Sequence, residues 1–165
     1  MLYVHFIYLL DLIKRLLMKR IIMILSILSS FFAIDLAHAD NYDFNCSKLH
    51  IMISNQTRES CVLINSTLKH GFYRYSASVP AFIPAGTTAG PLVLEQSIFG
   101  PELELAYACG EYKRVTFNSK QNFCFYSAGD VYGEVLYAQN TAIDYLATNG
   151  SWLASRPGNI IWRIQ

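Results

Sequence analysis

The stretch Glu102-Leu-Glu-Leu-Ala-Tyr-Ala-Cys109 decides the fold class. Leu103, Leu105, Tyr107 and Cys109 share one parity, and Glu102, Glu104, Ala106 and Ala108 share the other. A period of two with one apolar side is the pattern of a half-buried strand. Gly110-Glu111 reads as a tight turn, and Tyr112 to Phe117 runs back with Val115 and Phe117 inward. Asn118 to Gln121 is expected to turn again, with Asn122 to Tyr126 as the next strand.

The same pattern extends in both directions. Leu49, Ile51 and Ile53 point one way and Lys48, His50 and Ser54 the other, and Cys61 to Asn65 returns after a polar turn. His70-Gly71 breaks that strand, and Phe72 to Val79 alternates again. Pro80 to Gly86 carries two prolines, which remove ladder donors, so it reads as an extended edge followed by a turn. Gly90-Pro91 opens the segment Leu92 to Ile98, and Gly100-Pro101 closes it. After the Ala128-Gly-Asp130 turn, Val131 to Gln139 alternates around Gly133, which suggests a bulge or close packing. Thr141 and Asp144 are spaced like a capping box, so Thr141 to Ala147 is expected to form one short helical turn. Ile160, Trp162 and Ile164 end the chain as a strand. Eight or nine short strands at regular spacing predict an all-β fold, a single antiparallel β-sandwich.

An N-terminal segment sets the compartment. Lys19-Arg20, an apolar run from Ile21 to Ile34 and the small-x-small motif Ala37-His38-Ala39 describe a secretory signal peptide over 18–39, cleaved between Ala39 and Asp40. Its run is shorter than the roughly twenty residues a membrane span needs. Residues 1–17 read as an upstream extension with the start at Met18, and 40–165 as the β-sandwich domain. The style of the signal suggests a bacterial source, and its presence a secreted or periplasmic location.

The exported part carries four lysines and five arginines against four aspartates and six glutamates, a net charge of −1. It has no basic run, so nucleic acid is not an expected partner. All four cysteines lie in it, and an even count in an exported chain reads as a disulfide framework. Four cysteines allow three connectivities. The equal spacing of fifteen positions favours Cys46–Cys61 and Cys109–Cys124. With no Cys-x-x-Cys, and only His50 and His70 as exported histidines, neither a metal nor another cofactor is expected.

Catalytic constellations are sparse. Gly-x-Ser-x-Gly is absent, and His50 and His70 read more simply as surface or turn histidines than as bases. Glu102 and Glu104 lie about 7 Å apart along a strand, but carboxylates on an outer sheet face are ordinarily solvated. Asn45, Asn55, Asn65 and Asn149 each begin a glycosylation acceptor pattern, without meaning in a bacterial chain. Aromatics carry more information, because eighteen of the exported residues are Phe, Tyr or Trp. Most should fill the core. Tyr73, Tyr75, Phe82 and Trp152 are the candidates for a binding surface, Trp152 because it follows Gly150-Ser151 in a loop.

The succession Asn55-x-Thr57, a strand, His70-Gly71, Pro80, Ile83-Pro-Ala-Gly86 and a glycine-bearing strand at Gly133 is similar to small secreted β-sandwich proteins of the aegerolysin and actinoporin-like type. That resemblance implies binding to membrane lipids. Some members form pores, but the long amphipathic N-terminal helix of actinoporins has no counterpart here. Separately, Tyr107-x-Cys109 with Val115-Thr-Phe117 resembles the strand pair of bacterial periplasmic lysozyme inhibitors, whose Ser-Gly-x-x-Tyr loop is only approached by Ser127–Tyr132. The expected function is therefore non-enzymatic binding of a membrane surface, a glycan or another protein through aromatic loops. A secreted inhibitor of a lysozyme or protease is the alternative, and a small hydrolase using His70 the second.

Overall fold

A computed structural model describes residues 45–74, 78–126 and 128–165. The segments 1–17 and 18–39, the Ala39/Asp40 junction and Tyr75 lie outside the described residues.

The described chain is nearly all strand: β1 Lys48–Asn55, β2 Cys61–His70, β3 Phe72–Tyr73, β4 Phe82–Ile83, β5 Thr88–Glu95, β6 Glu102–Cys109, β7 Lys113–Gln121, β8 Ala128–Gly129, β9 Val131–Gln139, β10 Ile143–Thr148, β11 Gly150–Ser151 and β12 Gly158–Ile164. A 3-10 turn, Asn45–Ser47, precedes β1. One five-stranded sheet has the order β10-β12-β1-β5-β3 and the other β4-β2-β6-β7-β9, with β8 and β11 forming a small ribbon at one end.

The two sheets bury the apolar sides that the alternation marks. Leu103, Leu105, Tyr107 and Cys109 are fully buried, and Val115 and Phe117 face them from β7. Across the core stand Leu49, Ile51 and Ile53 of β1 and Ile160, Trp162 and Ile164 of β12. The rings of Tyr107, Phe117 and Trp162 form a continuous stack through the centre, at 6.2 and 4.5 Å between centroids. Trp162 donates its indole N–H to Ser119 Oγ at 2.9 Å, and Tyr107 donates its hydroxyl to Pro80 O at 2.8 Å. Both polar handles are thus satisfied inside an apolar core, as burial requires.

The fold is the expected β-sandwich, antiparallel but for one pair: β12 lies between β10 and β1 and pairs with β1 in parallel, Leu49 opposite Gly158 through Asn55 opposite Ile164. The first and last strands thus meet only after the whole domain has been traversed, a pairing no local pattern announces. β7 continues through Asn118–Gln121 instead of turning, and Asn122 to Tyr126 is a loop instead of a strand. β5 begins before Gly90-Pro91, and the register shift between Ile51 and Ile53 accommodates that pair within the ladder. Thr141 to Ala147 is not helical. Asp144 is spent on a two-pronged ion pair with Arg163, its cross-strand partner, and Tyr145 packs on Trp162 at 4.9 Å. Gly133 does mark close packing, because a Cβ there would meet the ring of Tyr145 at 2.7 Å.

The disulfides are Cys46–Cys124 and Cys61–Cys109, not the local pairs Cys46–Cys61 and Cys109–Cys124. Each fifteen-position interval spans a strand that crosses the sandwich. Cys46 precedes β1 at one end and Cys61 opens β2 at the other, about 25 Å away for an eight-residue strand. That is far beyond the roughly 7 Å Cα separation a disulfide tolerates. Cys61 and Cys109 face each other directly across β2 and β6, with Cα atoms 4.0 Å apart.

Candidate functional site

One end of the sandwich gathers five connections: Asn45–Ser47, Gly71, the β5–β6 loop, the β7–β8 loop and the β11–β12 loop. Polar contacts knit them together. Gln96 receives the backbone N–H of Cys124 on Oε1 at 3.0 Å and donates Nε2 to Cys124 O at 3.3 Å. Gln121 donates to Cys46 O at 2.6 Å from a fully buried amide, and a side chain on Gly158 would strike its Oε1. Asn149 donates to Asp130 Oδ1 at 2.7 Å and accepts the N–H of Val131 at 2.9 Å. The Cys46–Cys124 bridge adds a covalent tie with Cα atoms 5.9 Å apart.

With its backbone so held, this end presents apolar side chains to solvent. Phe123, Phe125, Tyr126 and Trp152 form a chain of ring contacts at 6.3, 4.3 and 4.7 Å. Ile98 is 85% exposed, Phe99 61% and Leu153 90%. Rings held against one another in tethered loops lose little further freedom on contact with an apolar phase. Aromatic residues with a polar edge, such as Tyr and Trp, suit the boundary between water and a bilayer.

The sequence-derived binding residues are not brought together. Trp152 belongs to the loop end and is half-buried against Tyr126. Tyr73 packs against the core margin, and burial pushes its hydroxyl above the usual tyrosine range. Phe82 is exposed on the edge strand β4, opposite Val62 and near the Cys61–Cys109 bridge, at the other end of the molecule. Phe123, Phe125 and Tyr126 were missed because Asn122 to Tyr126 alternates enough to resemble a strand. Ile98 and Phe99 were missed because they extend the apolar run of β5. The overlooked signal is density: three aromatics within four positions, followed by Ser-Ala-Gly, are too many for one short buried strand.

His70 packs its ring on Phe99 at 5.2 Å, and its register partner is Glu102. His50 is half-buried on β1, where burial, Lys48 and Arg74 hold its pKa below the usual histidine value. Of the Ser127–Tyr132 segment, Ala128–Gly129 is paired with Gly150–Ser151, and the Tyr132 hydroxyl accepts from Asn122 at 3.2 Å. Asn55 is fully buried and donates to the carbonyls of Glu59, Ile83 and Pro84, so its acceptor pattern is part of the structure.

The chain is thus a disulfide-bonded β-sandwich with an aromatic loop end. No protein-family model matches it, and no curated protein matches it in sequence. Among solved structures it is similar to the lipid binding protein Nakanori, at 8% identity over 72% of this chain and 71% of that one, with a TM-score of 0.58. IP-1A from Alcaligenes faecalis is 12% identical over 73% of this chain and 91% of that one, with a TM-score of 0.49. RahU protein, solved with TRIS, is 10% identical over 72% and 96%, with a TM-score of 0.48. At these identities the likeness is one of fold. The two disulfides fit an oxidising compartment. Among the described residues no helix is long and apolar enough to cross a membrane.

Proposed function

We propose that this protein is an exported, non-enzymatic lipid-binding protein, of the aegerolysin and actinoporin-like type, that lays its loop end on a membrane surface. One observation carries the reading: Phe123, Phe125, Tyr126 and Trp152 form a connected aromatic surface beside the exposed Ile98 and Leu153. Insertion of these side chains into the interfacial region removes apolar area from water. The lipid-binding function of a protein of similar fold supports the reading. A signal peptide over 18–39 would deliver the chain to the oxidising compartment its disulfides suit.

The test is co-sedimentation of the disulfide-bonded protein with liposomes, with tryptophan fluorescence recorded on the same samples. Trp162 is fully buried and already hydrogen-bonded, so a lipid-dependent blue shift reports Trp152. The expected outcome is pelleting with a blue shift that survives Trp162→Phe and disappears in Trp152→Phe. Absence of pelleting across neutral, anionic and sphingolipid-rich vesicles would sink the membrane reading and turn attention to glycan and protein ligands.

A further inference from the structure

Beside the aromatic surface lies a cavity of about 250 Å³ lined by His70, Phe99, Gly100, Lys120, Gln121, Asn122 and Phe123. It sits at the same end of the sandwich, where β2 ends, β6 begins and β7 ends. Its walls are of two kinds. Phe99 and Phe123 are exposed rings. Lys120, His70 and the Asn122 side chain supply donors, and no carboxylate lines the cavity.

The charges around it are accounted for. The Lys120 ammonium lies 3.4 Å from Glu102 Oε2, while Glu102 also accepts Asn118 Nδ2 at 2.9 Å and has Lys69 at 3.8 Å. Lys69 in turn pairs with Glu104 at 2.9 Å. Glu102 therefore does not depend on Lys120 alone, and the Lys120 side chain is 49% exposed. An ammonium has three donors, so one long ion pair leaves it able to take another anionic acceptor. Behind Asn122, Asp130 is occupied by Asn149 and lies 3.5 Å from the Tyr132 hydroxyl.

We propose that this cavity binds the phosphate of an anionic lipid headgroup. Lys120 is the counter-ion, His70 and Asn122 are further donors, and Phe99 and Phe123 cover the glycerol portion. The inference rests on the membrane reading and adds the chemical class of lipid to it. A quaternary ammonium headgroup suits the site poorly, because cation–π capture needs ring faces free of a competing cation and Lys120 lines the same space. A phosphate ester uses both kinds of wall, and a bilayer presents it at the depth where the neighbouring aromatics would lie.

Two experiments test it. Vesicles of phosphatidylcholine alone are compared with vesicles in which part of it is replaced by phosphatidylglycerol, which keeps the phosphate and removes the ammonium. Wild-type binding should rise about tenfold, the worth of one charge-assisted hydrogen bond. Lys120→Gln should abolish the rise, and Phe99→Ala should weaken binding to both kinds of vesicle. Phe99→Ala leaves the Glu102 network untouched, so that weakening cannot be laid to misfolding of that network. Lys69→Gln removes the same charge beside the same Glu102 but does not line the cavity, and it should keep most of the gain. Equal losses in Lys69→Gln and Lys120→Gln, or no gain in wild type, would overturn the proposal.

The second experiment follows backbone amide NMR shifts during titration with soluble glycerol phosphate. Shifts confined to Phe99, Lys120 and Asn122 support the site. Such shifts without pelleting on any vesicle would mean that the cavity takes a soluble phosphate ester, overturning its lipid assignment together with the membrane reading. Pelleting without anionic preference, and with no such shifts, would overturn the cavity alone.

Discussion

Glu102 reads in the sequence as a solvated carboxylate on an outer sheet face, but it is buried and held by Asn118, Lys120 and Lys69. The neighbouring cavity has no carboxylate in its lining. Burial by itself pushes its carboxyl up, but the Asn118 hydrogen bond together with Lys120 and Lys69 outweighs that and holds it below the usual glutamate value. A carboxylate whose folded pKa is depressed stabilises the fold above its unfolded pKa, and that contribution is lost as pH falls through the folded value. Urea unfolding between about pH 7 and pH 3 should therefore show a steeper loss of stability in wild type than in Glu102→Gln, since ordinary glutamates titrate near 4.3. Identical acid limbs would deny the network any role. His50 shows the complementary case. Its strand and parity were readable, but its half-buried setting beside Lys48 and Arg74 depends on neighbours far along the chain.

At the level of elements, the strands with the cleanest alternation are those the structure reproduces: β6 spans Glu102–Cys109, β9 Val131–Gln139, and β12 buries Ile160, Trp162 and Ile164. β6 and β12 have one face on the core and one outside, so their side-chain parity records their environment, whereas only Val131 of β9 is buried. β10 and the end of β7 carry little local signal, because their roles come from partners. Asp144 looks like a capping residue until Arg163 is placed opposite it. The disulfides divide the labour between two elements. Cys61–Cys109 staples β2 to β6 inside the core, and Cys46–Cys124 tethers the loop that carries Phe123 and Phe125. Peptide mapping without reduction should link these pairs and no others. Closing loops of 48 and 78 residues stabilises by about 4 kcal/mol each on the chain-entropy model, against about 3 for fifteen-residue loops. Replacing Cys46 and Cys124 together by serine should weaken vesicle binding more than tenfold while leaving a cooperative unfolding transition. Full binding by that variant would show that the aromatic loop needs no tether.

For the molecule as a whole, the two ends have different characters. At the end that holds Phe82, Asn55 ties the turns together through three backbone carbonyls, and Lys113 pairs with Glu59 at 2.7 Å. The opposite end holds the connected rings and the cavity. If the loop end faces the membrane, Phe82→Ser should leave vesicle binding within about twofold, whereas Leu153→Ser should reduce it several-fold, the cost of exposing one apolar side chain. Comparable losses at both ends would mean that the molecule binds by its side or by another surface.

Local patterning by itself determined the all-β class, most strand positions, the buried parity of the core strands β1, β6 and β12, and the fact of an even cysteine set. Those properties depend on whether successive side chains face oil or water, and that information is written residue by residue. Tertiary structure alone decided which cysteines meet, that β12 enters the sheet parallel to β1, and that Phe99, Phe123, Phe125, Tyr126 and Trp152 share one end. A strand carries its two ends about 25 Å apart, so sequence neighbours across it are spatial strangers. Loops separated by half the chain meet instead, because the sheets they cap are packed face to face.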